Sequence, residues 1–149
     1  MTDAVARFVE RFGSVLEEGG MPRMPARVFA ALLATDSGRL TAAALSEQLQ
    51  ISPAAVSGAV RYLIQVSLVG REREPGSRRD VYRLHNDLWY EAVVSREPLL
   101  TRWERAVVEG VEAVGPDTPA GHRLSDTAEF FTFLQSEMPA MLARWRAQR

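Results

Sequence analysis

The chain of 149 residues contains no cysteine, which excludes a disulfide scaffold, a thiol redox switch and cysteine metal sites. Lysine is absent as well. All 18 basic residues are arginine, a bias that fits a GC-rich genome and carries no mechanism of its own. Only two histidines occur, His85 and His122, and both read as surface residues. No glycine-rich phosphate loop or metal-ligand spacing accompanies them, so an enzyme, a metal site and a cofactor are not expected. No apolar run approaches the length that spans a bilayer. The N-terminus opens on an amphipathic pattern with acids rather than on a signal peptide, so a cytoplasmic protein with no membrane partner is expected. Net charge is −1, so overall basicity does not announce nucleic acid either.

Charge placement is more telling than charge total. Residues 37–85 hold seven arginines against four acids, a net of +3, whereas residues 1–36 come to −1 and residues 86–149 to −3. Positive charge gathered on one stretch is the footprint a phosphate backbone needs. Within that stretch two short amphipathic helices follow one another. The first starts at Thr41, whose hydroxyl can accept a hydrogen bond from an unpaired N–H of the opening turn. Leu45 and Leu49 share one of its faces, and Ile51 plugs the turn that follows. The second has Ser52 at the N-cap and Pro53 at the first helical position, where a missing N–H costs nothing. Val56, Val60 and Leu63 recur at i, i+4 and i+7 as its buried stripe. The opposite face carries Ala54, Ala55, Ser57, Gly58 and Arg61, small residues with one long cation, which suits close approach to base edges.

A hairpin comes next. Residues 68–74 alternate apolar and charged, residues 81–84 return as the partner strand, and Pro75-Gly76 makes the turn. Arg78 and Arg79 fall at its tip, suited to phosphate contact or to a narrow minor groove. A helix pair alone is most often ordinary core. The serine-proline start, the small-residue face and the arginine tip together point to a winged helix-turn-helix, with Ser52, Ala54, Ala55, Ser57, Gly58, Arg61, Arg78 and Arg79 as the residues that meet duplex DNA.

Amphipathic helices flank this lobe. Over residues 3–18, Val5, Phe8, Val9, Phe12, Val15 and Leu16 form one stripe, closed by Gly19-Gly20. Pro22 and Pro25 predict a rigid bend before a helix from Ala26 to Thr35, with Val28, Phe29, Leu32 and Leu33 facing inward. Arg23 and Arg27 flank the bend, open to phosphate contact or to ion pairs with a neighbouring helix. After the wing, Asn86 or Asp87 caps a helix holding Leu88, Trp89, Ala92 and Val93. Pro98 interrupts or kinks it before Leu99, Leu100, Trp103, Val107, Val111 and Val114 continue the stripe. Residues 115–121 read as a loop. A last helix is expected near Asp126, where Asp126 and Glu129 match a capping box, with a kink at Pro139. So many apolar stripes exceed what a small lobe can cover, and exposed stripes mark interfaces. A homodimer through the terminal helices buries them and sets two reading helices on the order of 34 Å apart, matched to a palindrome.

The run from Gly20-Met-Pro22-Arg23 to Leu84, and more weakly Trp103, Phe130-Phe131-Thr-Phe133-Leu134, Met138-Pro139 and Trp145, resembles the MarR superfamily of regulators, in particular its GbsR-like branch. That resemblance implies a fold that is mainly α with a small β-wing, a winged helix-turn-helix plus a helical dimerisation region: four helices, strand, wing, strand, two helices. It implies one domain over 1–149, with an N-terminal dimerisation helix (1–20), a DNA-binding lobe (21–85) and C-terminal dimerisation helices (86–149). It also implies sequence-specific operator binding, usually repression, often relieved by a small ligand between the lobes. The choline and glycine-betaine control linked to the GbsR-like branch is not carried over. Two positions depart from the family pattern. Gln50 stands where the turn often has glycine, so a left-handed backbone there is strained, and Ser77-Arg78-Arg79 replaces a common Asp-Arg-Arg.

An effector site is open to two readings. Trp89, Tyr90, Trp103, Phe130, Phe133 and Trp145, with Arg102 or Arg105 for an anionic group, either line a cavity or form dimer core; Trp89, Trp103 and Phe130 are the ligand-binding residues expected. The rival function is a winged-helix protein-interaction module that does not bind DNA.

Overall fold

The computed structural model describes residues 2–85 and 97–149, with backbone alone at 97 and 98. Residues 86–96 lie outside, and with them the helix expected after Asn86, including Trp89 and Tyr90. Two compact units divide the chain, Met1–Trp89 and Tyr90–Arg149.

In the first unit, α1 (Asp3–Glu18) starts at Thr2, whose side chain accepts from the Val5 N–H. It ends in a Schellman pair, Gly20 N–H to Glu17 O and Met21 N–H to Leu16 O, with Gly20 at φ 105°. Against it lies α2 (Arg23–Leu33), which starts earlier than the proline pair suggests. Pro22 occupies the cap and Pro25 the first helical turn, where no intrahelical N–H bond is lost. The prolines therefore open this helix instead of bending the chain ahead of it. Because α2 packs against α1, two later helices and the sheet, it is buried on several faces. Ala26, Ala30 and Ala31 are as buried as Val28, Phe29 and Leu32, since close approach from several sides needs small residues.

A strand missed in the sequence follows, β1 (Arg39–Thr41). Then come α3 (Ala42–Leu49), α4 (Pro53–Gln65) and the two wing strands β2 (Val69–Arg73) and β3 (Asp80–Leu84). The wing is thus part of a three-stranded antiparallel sheet, ordered β1-β3-β2, with β3 central. Register pairs Leu40 with Tyr82, and Arg71 with the same Tyr82 on the other side. Gly70 in β2 faces the His85 ring; a Cβ there would stand 2.8 Å from ring carbon Cε1, so the strand glycine makes room for His85. The core of this unit is Leu32, Leu45, Val56, Val60, Leu63 and Val69 with their neighbours, all essentially inaccessible.

In the second unit, α5 (Glu97–Val114) and α6 (Pro119–Ala147) form a helical hairpin. Thr101 meets Gln135, Glu104 meets Thr132, and Gly110 lies by Leu124, so positions retreat along α6 as they advance along α5. Pro98 sits in the first turn of α5, where proline is tolerated. The expected loop over 115–121 is shorter than its composition suggests. Thr118 caps α6, its hydroxyl accepting from the Gly121 N–H, and Pro119 takes the first helical position. Asp126 therefore lies well inside the helix and caps nothing. The loop stays tight because Gly115 adopts φ 94° and Gly121 packs against the Gly115 carbonyl, where any Cβ would collide. α6 is assigned as one element through Pro139.

No helix among the described residues is long and apolar enough to cross a membrane.

Candidate nucleic-acid interface

The pair α3–α4 has the geometry of a helix-turn-helix. Thr41 Oγ1 accepts from the Ala44 N–H at 3.1 Å and Ser52 Oγ from the Ala55 N–H at 3.1 Å, so both hydroxyls cap as their sequence positions suggest. Between the helices the chain turns through Gln50 at φ 55°, the left-handed conformation that glycine adopts without strain. Gln50 N–H reaches Glu47 O and Ile51 N–H reaches Ser46 O, a Schellman turn built on a non-glycine residue. Two side-chain bonds brace it: the Ser46 hydroxyl donates to the Ile51 carbonyl, and Gln50 Nε2 donates to Glu47 O at 2.7 Å. α4 ends the same way, with Ser67 at φ 65°, Ser67 N–H to Ile64 O and Leu68 N–H to Leu63 O. That second turn hands the chain directly to β2.

α4 buries Val56, Ala59, Val60 and Leu63. Ala54, Ser57, Gly58 and Arg61 are exposed on the opposite face, and Ala55 is half-buried beside them. Ser52 accepts the cap bond with one lone pair of its hydroxyl oxygen and keeps its hydroxyl hydrogen to donate to an outside acceptor.

On the wing, Ser77 N–H bonds Glu74 O at 3.0 Å around Pro75 and Gly76, and Gly76 at φ 76° supplies the left-handed third position of the turn. Ser77 Oγ then accepts from the Arg79 N–H at 3.0 Å. An aspartate in its place would make the same local bond. The serine thus preserves the turn and omits a negative charge beside the two arginines.

The arginines of residues 37–85 divide into two sets, while Arg7, Arg11 and Arg23 lie exposed nearer the N-terminus. Arg39 and Arg83 flank Glu72 at 3.4 and 3.1 Å, and Arg71 lies 3.8 Å from Asp80 and 5.8 Å over the Tyr82 ring. Arg27, half-buried, pairs with Glu10 at 2.7 Å and donates to the Leu49 carbonyl at 2.8 Å, which resolves its role as structural. Arg61, Arg73, Arg78 and Arg79 are exposed and hold no ion pair among the described residues. Arg73 was not singled out from the sequence. Its signal is the β alternation that puts Arg71 and Arg73 on one face, where Asp80 and Tyr82 occupy the first and leave the second free. Such unpaired guanidiniums on a surface are poised for external anions.

In the second unit, Trp103 and Phe130 both border Phe131, with ring centroids 5.8 and 6.2 Å from it. Both are about half exposed, as is Phe133 at 60%. Arg102 is exposed. Arg105 borders a shallow groove of about 380 Å³ together with Thr101, Glu104, Val108 and Glu109, apart from the aromatic group. Among the described residues, no group of histidine and acidic side chains is arranged to hold a metal ion.

These features define a winged helix-turn-helix. A solved structure described as the crystal structure of a transcriptional regulator shares the fold, with TM-score 0.82 and 24% identity over 98% of this chain and 99% of that one. Residues 19–80 match the model of the MarR family, and residues 87–148 match that of MmpR5-like MarR family transcriptional regulators. Two models of one family, matching adjoining stretches, support the chain as a MarR-family transcriptional regulator. No curated protein matches it.

Proposed function

We propose that the protein is a sequence-specific, double-stranded-DNA-binding regulator in which α4 enters the major groove and the wing follows the adjacent backbone or minor groove. The observation that carries this reading is the division of the arginines. Arg39, Arg71 and Arg83 of the sheet are paired with Glu72 and Asp80, whereas Arg61 on the exposed face of α4, Arg73 at the end of β2, and Arg78 and Arg79 at the wing tip are left for an outside anion. Ser52, Ala54, Ala55, Ser57 and Gly58 complete the contact set. The protein acts in the cytoplasm as a homodimer on a palindromic operator, most simply as a repressor. Support for the dimer comes from Phe8 and Val15 on α1 and Trp103, Phe130, Phe133 and Met141 on the C-terminal hairpin, all large apolar side chains open to water. Its layout follows the family's, one domain with terminal dimerisation helices (1–20 and 86–149) about a reading lobe (21–85). Relief by a small ligand near Trp103 and Phe130 is part of the proposal, the third residue expected there, Trp89, lying outside the described residues, and the affinity for a GbsR-like branch rests on the sequence motifs.

Fluorescence anisotropy tests it: full-length protein against duplex from its own upstream intergenic region and a scrambled duplex, at two salt concentrations. Selective, salt-sensitive binding with two chains per site is the expected result. Failure to bind any duplex at low salt, by protein that is folded, would overturn DNA binding in favour of a protein-interaction module.

A further inference from the structure

Gly58 is the one glycine of the chain whose presence the fold does not explain. Each of the other nine sits at a positive φ, or would crowd a neighbour with a Cβ, or ends a helix. Gly58 lies in the middle of α4, has no positive φ, is exposed, and an added Cβ would meet nothing within 4 Å. Glycine inside a helix is less favourable than any residue but proline, because it surrenders the most backbone freedom on folding. A helix glycine without an internal contact leaves its backbone open to close approach by a partner.

The face it occupies says which partner. Gly58 stands one turn after Ala54 and three residues before Arg61, on the side opposite Val56 and Val60. Ala54 offers a methyl group and Arg61 a guanidinium without an internal partner. That combination matches a base-pair step in the major groove, where arginine bridges the two acceptors of a guanine and apolar atoms meet a thymine methyl. We infer that Gly58 is a specificity-determining residue: it lets the α4 backbone rest against a thymine methyl, which brings Arg61 within hydrogen-bonding distance of a neighbouring guanine. This rests on the DNA-binding reading and deepens it.

The consequence is a variant that gains stability and loses function. Gly58→Ala fills no space in the free protein and favours the helix, so Tm should rise by about 1–4 °C. On DNA the added methyl holds the helix away from the base edge and stretches the Arg61 bonds past their working range. Operator affinity should fall by about 10–100-fold, while low-salt binding to unrelated duplex, which needs phosphate contact only, should hold. The probe is a duplex selected by the full-length wild-type protein from a random pool. Replacing its thymines by deoxyuridine, which removes the methyl, should narrow the gap between wild type and Gly58→Ala. If Gly58→Ala binds the selected duplex like wild type, if its Tm falls, or if deoxyuridine leaves the gap unchanged, the inference is overturned and DNA binding by α4 stands. If the wild-type protein selects no duplex at all, the underlying reading fails first.

Discussion

Removing the guanidinium of Arg27 should cost far more stability than removing its carboxylate partner, and the difference can be worked from the geometry. Arg27 joins three helices. It is carried by α2, its Nη2 lies 2.7 Å from Glu10 Oε1 on α1, and the same nitrogen donates to the Leu49 carbonyl at 2.8 Å, at the end of α3. Its stem runs against Gly13, where a Cβ would stand 3.3 Å from Arg27 Cγ. The pair is a bidentate fork, Nε to Oε2 at 3.1 Å and Nη2 to Oε1 at 2.7 Å, but the Glu10 side chain is 53% exposed, so water screens it to about 1 kcal/mol. The bond to Leu49 is different. The Arg27 side chain is only 15% exposed, and the carbonyl is one of the four at a helix end without an intrahelical partner. A charge-assisted bond of this kind contributes about 1.5–3 kcal/mol. With the lost stem packing, Arg27→Ala should cost about 3 kcal/mol and Glu10→Ala about 0.5–1 kcal/mol. Urea denaturation of the two variants and the double variant, at low and high salt, separates the contributions. The Glu10 share should shrink as salt rises while the Leu49 share persists. Equal costs for the two single variants would refute the assignment and make the surface ion pair the main link, and an Arg27→Met variant as stable as wild type would refute it by showing that neither polar bond adds to the packing of the stem.

Other expectations follow from the same geometry. Arg61→Ala should relax base preference at a cost of about 1–3 kcal/mol, whereas Arg79→Ala should weaken binding to every sequence and lower the salt slope by about one. Anisotropy titrations across a salt series read both, and unchanged operator affinity in both would mean that these are not the contact residues. Gln50→Gly should stabilise the chain by about 0.5 kcal/mol, since relief of the left-handed strain at φ 55° outweighs the lost Nε2 bond to Glu47; a lower denaturation midpoint would show that bond to be the larger effect. Gly121→Ala should destabilise on the order of 2 kcal/mol, because the methyl meets the Gly115 carbonyl, and a thermal melt indistinguishable from wild type would show that the connection between α5 and α6 yields freely.

The sequence by itself determined the parts whose physics is local. Ser52-Pro53 and Thr41 cap helices through bonds three residues long, and Val56, Val60 and Leu63 repeat at the helical period, so α3, the turn and α4 were legible before any contact was known. Pro75-Gly76 likewise encodes its turn by backbone preference alone. The tertiary structure decided what depends on distant residues. β1 has three residues and no alternation long enough to recognise; it is a strand because residues 81–83 offer it a hydrogen-bonding edge. Asp126-Glu129 matches a capping box, yet α6 starts at Thr118-Pro119, where Gly121 packs closely against Gly115. Nor does spacing separate the arginines. Seven lie between residues 37 and 85, and only the strand register, by bringing Arg39 and Arg83 to Glu72 and Arg71 to Asp80, shows which are spent within the fold and which remain free to meet a phosphate backbone. Electrostatic pairing falls off with distance in space, and distance in space is what a linear sequence does not carry.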